Sequence, residues 1–192
     1  ESNQAPASGG GGEITHVTVY APMGFGPQEQ RALEALQEVW GPRQNRVRLL
    51  LQGIGRPEDF CGPEFGCSSL LARSRTWISL TPFLPTRHAK VTRAGAAKRD
   101  ARGLQIGSPE HELLRLLQLG GFPEPVAVEP VPFTEIGGHK IGWSSFVKER
   151  SSGQGRRAGN AGYGFRIEFP EPVQGPVAAG YAAHFGMGGI CE

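Results

Sequence analysis

Two of the chain's five histidines keep company that could move protons on a phosphodiester. In TPFLPTRHAK, His88 directly follows Arg87 and lies two positions before Lys90. In PVQGPVAAGYAAHFGMGGICE, His184 sits among Gly175, Gly180, Gly186, Gly188 and Gly189, with Tyr181 and Phe185 close on either side. Cutting RNA without a metal requires a base for the 2′-hydroxyl proton, an acid for the leaving 5′-oxygen and cations for the charged phosphorane. Imidazole, which titrates near neutrality, serves the first two purposes; arginine and lysine serve the third. His88, His184, Arg87 and Lys90 are therefore the catalytic candidates. Glycine at 186 and 188 would let main-chain amides approach a phosphate, and Tyr181 and Phe185 could stack on bases. Each feature also has a plain structural reading: a solvated basic turn around His88, and a tight glycine corner packed on a sheet around His184.

The other histidines carry less. His16-Val17-Thr18 matches half of the paired His-x-Thr/Ser signature of two-histidine phosphoesterases, but none of His88, His111, His139 or His184 supplies the second half. His111 falls in an acidic helix start and reads as solvated; His139, beside Lys140, reads as the end of a turn. The sequence lacks a Walker loop, a Gly-x-Ser-x-Gly elbow and a His-Glu-x-x-His helix. Cys61 and Cys67 are separated by five intervening residues in a Gly/Pro loop and Cys191 stands alone, which is neither a disulfide framework nor a zinc set. The expectation is reduced thiols, a cytoplasmic location, and no metal or other cofactor.

The net charge is only +2, yet the charges are segregated. Residues 73–102 hold Arg73, Arg75, Arg87, Lys90, Arg93, Lys98, Arg99 and Arg102 against Asp100 alone. A second basic group comprises Lys148, Arg150, Arg156, Arg157 and Arg166, and residues 110–135 between the two are acidic. Such separation suits a polyanion on one face, with Arg93, Lys98, Arg99, Lys148, Arg156 and Arg157 as backbone contacts. No run approaches the roughly 20 apolar residues of a membrane span. Residues 1–12, ESNQAPASGGGG, have the composition of a flexible linker and, without an initiating Met, read as the start of a downstream piece of a longer protein.

The elements that must position these residues are short. Gly 29 and Pro 16 imply many turns. β-Branched residues predict a strand over 14–21, helical spacing predicts a helix from Pro27 to Trp40, and 47–51 reads as a strand again. Residues 75–84 alternate Trp77, Ser79, Thr81 and Phe83 on one face, and 87–107 have no hydrophobic period and read as a mobile basic loop. Ser108-Pro109 opens a second helix that ends at Gly120-Gly121. Strands are expected over 126–131, 141–147 and 163–169, with a basic hairpin tip at 151–162. The order predicts an α+β protein of tandem ferredoxin-like (RRM-like) halves, 13–72 and 73–192, the second ending in a glycine-rich loop.

Taken together, RTWISLTPFLPTRHAK, GWSSFVKER, GYGFRIEF and GPVAAGYAAHFGMG resemble the C-terminal part of the fused subunit of type I-G (earlier I-U) CRISPR effectors. That subunit joins a backbone domain binding the crRNA 5′ handle to a repeat-processing endoribonuclease domain of the RAMP superfamily. The resemblance covers about residues 73–189, and its terminal segment is similar to the glycine-rich loop that RAMP proteins use against RNA. It implies a metal-independent cut in CRISPR repeat RNA, leaving a 2′,3′-cyclic phosphate and a 5′-hydroxyl. It also implies partnership with pre-crRNA, with other effector subunits and with a preceding backbone domain. The alternative is a domain that holds crRNA without cutting it. Many relatives place a catalytic histidine just after the first strand, where APMGFGPQ has none; His88, then His184, must take that part.

Overall fold

The computed structural model describes residues 16–40, 46–61, 68–146 and 161–192. The expected linker and the basic tip with Lys148, Arg156 and Arg157 lie outside them. Residues 16–20, expected in a strand, join no ladder. Helix α1 (Pro27–Ala35) has proline in its first turn, as predicted, but stops short of Trp40, and Leu36 is already extended. Strand β1 (Glu38–Trp40) then pairs antiparallel with β2 (Arg46–Arg48). The reason is packing. No residue of α1 is buried, so no tertiary contact lengthens it, whereas Val39 and Trp40 suit a strand. Arg46 lies 4.8 Å over the Trp40 ring and pairs with Glu38 at 3.6 Å.

The rest of the chain builds the core. Strand β3 (Arg73–Ser79) leads, by way of the basic segment, to α2 (Pro109–Leu119). Then follow β4 (Ala127–Val131), β5 (Phe133–Ile136), β6 (His139–Gly142), β7 (Gly164–Gln174), β8 (Val177–Ala178) and β9 (Gly189–Cys191). Five strands form one antiparallel sheet in the order β4-β7-β3-β9-β8, and β5 pairs with β6 apart from it. The described residues are thus α+β with two α-helices. Trp77 and Ser79 point into the core as the alternation predicts, while Ile78 between them is 39% exposed. Helix α2 sets Leu113 and Leu117 against Trp77, Phe165, Ile167, Phe169 and Ile190. Each such side chain contributes about 1.5–3 kcal/mol by leaving water. The boundaries of α2 follow from its sequence: the Ser108 hydroxyl accepts the His111 N–H at 3.3 Å, and Gly120 is the C-cap.

Three other expectations change. The single strand predicted over 141–147 is the end of β6 followed by a 3₁₀ turn, Trp143–Phe146, because the Trp143 Nε1–H donates to Val131 O at 2.6 Å and turns the chain inward. The basic segment 87–107 is ordered. Its middle leg bonds to both neighbours, Lys98 N to Lys90 O at 3.0 Å and Ile106 N to Lys98 O at 2.8 Å, making a small meander around turns at Gly95 and Gly103. Backbone pairing replaces the missing hydrophobic period. Cys61 is disulfide-bonded rather than reduced; an odd number of cysteines forbids complete pairing but not one bridge, and Cys191 is the free thiol. Burial pushes that Cys191 thiol up from its ordinary value.

Candidate nucleic-acid interface

The chain leaving β3 and the glycine-rich chain entering β9 are laced together. Leu80 and Thr81 amides both donate to Gly189 O, at 2.9 and 3.1 Å. The Thr81 hydroxyl donates to Gly186 O at 2.7 Å and accepts the Gly189 N–H at 2.9 Å. Gly188 N donates to Pro82 O at 2.9 Å, and Tyr181 N to Leu84 O at 2.8 Å. His88 follows Leu84 by four positions and His184 follows Tyr181 by three, so the segments carrying the two imidazoles leave from one hydrogen bond.

This lacing assigns the glycines. The Gly188 amide serves Pro82, and the Gly186 amide donates to Ala183 O at 3.0 Å. The two amides expected at a phosphate therefore donate within the protein. At Gly188, where φ is +63°, an added Cβ would overlap the Ala179 carbonyl oxygen, so glycine permits close chain approach. What the segment offers to solvent is therefore side chains. Tyr181 is 45% exposed and Phe185 79%, and the exposed His184 ring lies 4.0 Å from that of Phe185. Ala182 just before them has φ +62°, an uncommon conformation for a residue with a Cβ.

On the other side, Arg87, His88 and Lys90 are all exposed. Among the described residues, neither His88 nor His184 makes a hydrogen bond, and Lys90, Arg93 and Lys98 make neither an ion pair nor a side-chain hydrogen bond. Arg99 differs: its Nη1 donates to Gly103 O at 2.5 Å and closes the second turn of the meander. Asp100 caps that turn through the amides of Arg102 and Leu104, at 3.0 and 2.9 Å, and Arg102 pairs with both Asp100 and Glu124. The first turn of the meander thus presents free cations, whereas the arginines of the second are taken up by Gly103 O, Asp100 and Glu124.

Glu112 is the functional candidate that sequence reasoning missed. It has no solvent exposure. Its carboxylate takes two hydrogen bonds from Arg115, at 2.8 and 2.7 Å, and one from the Thr86 hydroxyl. The Arg115 bonds hold this carboxyl below the usual carboxylate range; burial opposes them, and Thr86 and the charge of Arg87 assist. The visible signal was a Glu-x-x-Arg pair beside Leu113, on the apolar stripe. His111, expected in solvent, is mostly covered; its Nδ1 accepts the Gly107 N–H at 3.3 Å and its Nε2 lies 3.9 Å from Asp100. His139 is exposed on β6. Among the described residues no three His, Cys, Asp or Glu side chains converge as a metal cage would. No family model, curated protein or solved structure matches the chain.

Proposed function

We propose that the chain cleaves CRISPR repeat RNA by metal-independent transfer of a phosphodiester to the neighbouring 2′-hydroxyl. One of His88 and His184 takes the 2′-hydroxyl proton and the other protonates the departing 5′-oxygen, leaving a 2′,3′-cyclic phosphate and a 5′-hydroxyl. Arg87 and Lys90 neutralise the phosphorane, Arg93 and Lys98 grip the backbone, and Tyr181 and Phe185 stack on bases. The observation that carries this reading is the Leu84–Tyr181 hydrogen bond, which joins the segment leading to His88 to the segment leading to His184.

The fold supports it. From β3 onward the order strand, helix, strand, strand, strand pairs as β4-β7-β3-β9, the arrangement of a ferredoxin-like unit in which β8 and a 3₁₀ turn, Ala183–Phe185, stand where a second helix would. A matching first half over 13–72 rests on the sequence pattern alone, since the ladders among its described residues comprise only β1 and β2. Protein partners belong to the same proposal: Val17, Tyr20, Met23, Trp40 and Leu50 are 50% exposed or more, a surface suited to other effector subunits or a preceding backbone domain. No helix among the described residues is long and apolar enough to cross a membrane. A cytoplasmic location is proposed with the RNA; the Cys61 disulfide pulls against it, since such bridges are rare in a reducing compartment.

A second reading, an RNA-holding domain without cleavage, is favoured by one observation: neither imidazole has a hydrogen bond to fix its tautomer. Incubation with repeat RNA in EDTA separates the two, since cut RNA supports the enzyme and tightly bound intact RNA the holding domain. Under single turnover, His88→Ala should slow cleavage by about 10²–10⁴-fold and His184→Ala by less. Wild-type rates in both would remove the two histidines from the reaction. Alanine at Lys90, Arg93 or Lys98 should each lower the slope of log affinity against log salt by about 0.7–0.9.

A further inference from the structure

Among the described residues, Glu112 is the only fully buried charge, and it lies between Leu113 and the exposed segment that carries His88. Well-packed hydrophobic residues in place of both Glu112 and Arg115 would often stabilise the fold as well, so stability alone does not call for a buried carboxylate there. Its third hydrogen bond goes to Thr86, the residue before Arg87 and His88. The far flank of the same turn is also held from α2. Gly107, with φ +78°, packs so closely on His88 that an added Cβ would overlap the His88 carbonyl oxygen, and Gly107 N–H donates to His111 Nδ1 at 3.3 Å. Neighbouring residues in the first turn of α2 thus grip both sides of the Arg87–His88 dipeptide.

We propose that Glu112 is a positioning residue, which through Thr86 fixes the Arg87–His88 turn against α2 and so sets where the guanidinium and imidazole stand. The inference rests on the reading of His88 as a group that acts on RNA. Glu112 does not touch the RNA; it acts through Thr86. Glu112→Gln is the obvious variant, but it leaves Arg115 without its carboxylate and could unfold the domain. Thr86→Val is cleaner, because it removes one hydroxyl of similar shape while the Glu112–Arg115 pair remains.

The test measures two things in the wild type, Thr86→Val and Thr86→Ser: single-turnover cleavage of a repeat-hairpin RNA, and the ¹⁵N order parameters of the Arg87 and His88 amides. Thr86→Val should cut about tenfold slower or worse, the scale of loss from a displaced catalytic group, with RNA affinity unchanged. Its order parameters should fall from about 0.85 toward 0.6. Thr86→Ser, which keeps the hydroxyl, should restore both. A loosened turn with an unchanged rate would overturn the proposal, and so would a reduced rate with an unchanged turn. If the wild type binds the RNA without cutting it, the functional reading fails by itself, and the order parameters then decide the positioning role alone.

Discussion

A carboxylate without access to water must be paired, and the way Glu112 is paired has a pH consequence. The Arg115 bonds depress its folded-state value below that of an unfolded glutamate, about 4.3. The ionised form is therefore favoured by folding. Its contribution is present above the unfolded value and is lost as pH falls through the folded one. The urea midpoint of the wild type should drop in acid, below about pH 4, and Glu112→Gln should lack that part of the drop. At pH 7 the same variant should cost about 3 kcal/mol, the lower end for a broken buried pair, because Arg115 keeps 25% of its side-chain surface exposed. Identical acid profiles in the two proteins would refute the pairing. The Ser108 cap was legible because its partners lie within four positions. The burial of Glu112 was not, since an acidic first turn also suits the helix dipole in open solvent, and only the packing of Thr86 tells the two cases apart.

At the scale of elements, the glycine-rich segment predicts a ladder of effects. Ala182 holds φ +62°, so Ala182→Gly should be neutral or stabilise by up to about 1–2 kcal/mol. At Gly186, with φ +83° and nothing within 4 Å of an added Cβ, alanine should cost about 1–2 kcal/mol from backbone strain alone. Gly188→Ala adds overlap with Ala179 and should be the most damaging. Thermal melts of the three variants check the order, and equal losses at 186 and 188 would contradict the close approach. Strand β9 could not be read from sequence for the same reason: glycine weakens every local strand signal, and pairing with β3 supplies what propensity withholds. The meander over 87–107 was equally hidden. Its order comes from backbone bonds and the Asp100 cap, and neither leaves a hydrophobic period.

For the whole molecule, the core cluster runs from Trp77 to Ile190 and takes nothing from the described residues before position 71. Those residues instead carry Val17, Met23, Trp40 and Leu50 on the surface, and Val17, Val19, Leu33, Leu51 and Phe60 help line a groove of about 510 Å³. A chain beginning at Ser68 should therefore keep its cooperative unfolding transition, with a midpoint within about 4–8 °C of the full chain, the equivalent of about 1 kcal/mol. Calorimetry of both proteins checks this. Loss of the transition would mean that the N-terminal region stabilises the core through contacts other than apolar burial.

Some features are determined by residues near one another in the chain, and the sequence alone carried them. The start and end of α2, the alternation of Trp77 and Ser79 along β3 and the separation of basic from acidic stretches are of this kind. Their causes, a cap, a period and a local excess of charge, act over a few positions. What only the tertiary structure decided is long-range: the ending of α1 at Ala35, the joining of Leu84 to Tyr181, the internal use of the Gly186 and Gly188 amides, and the burial of Glu112 under Thr86. Each depends on which surfaces become neighbours once the sheet has formed, and no local pattern encodes the register that makes them so.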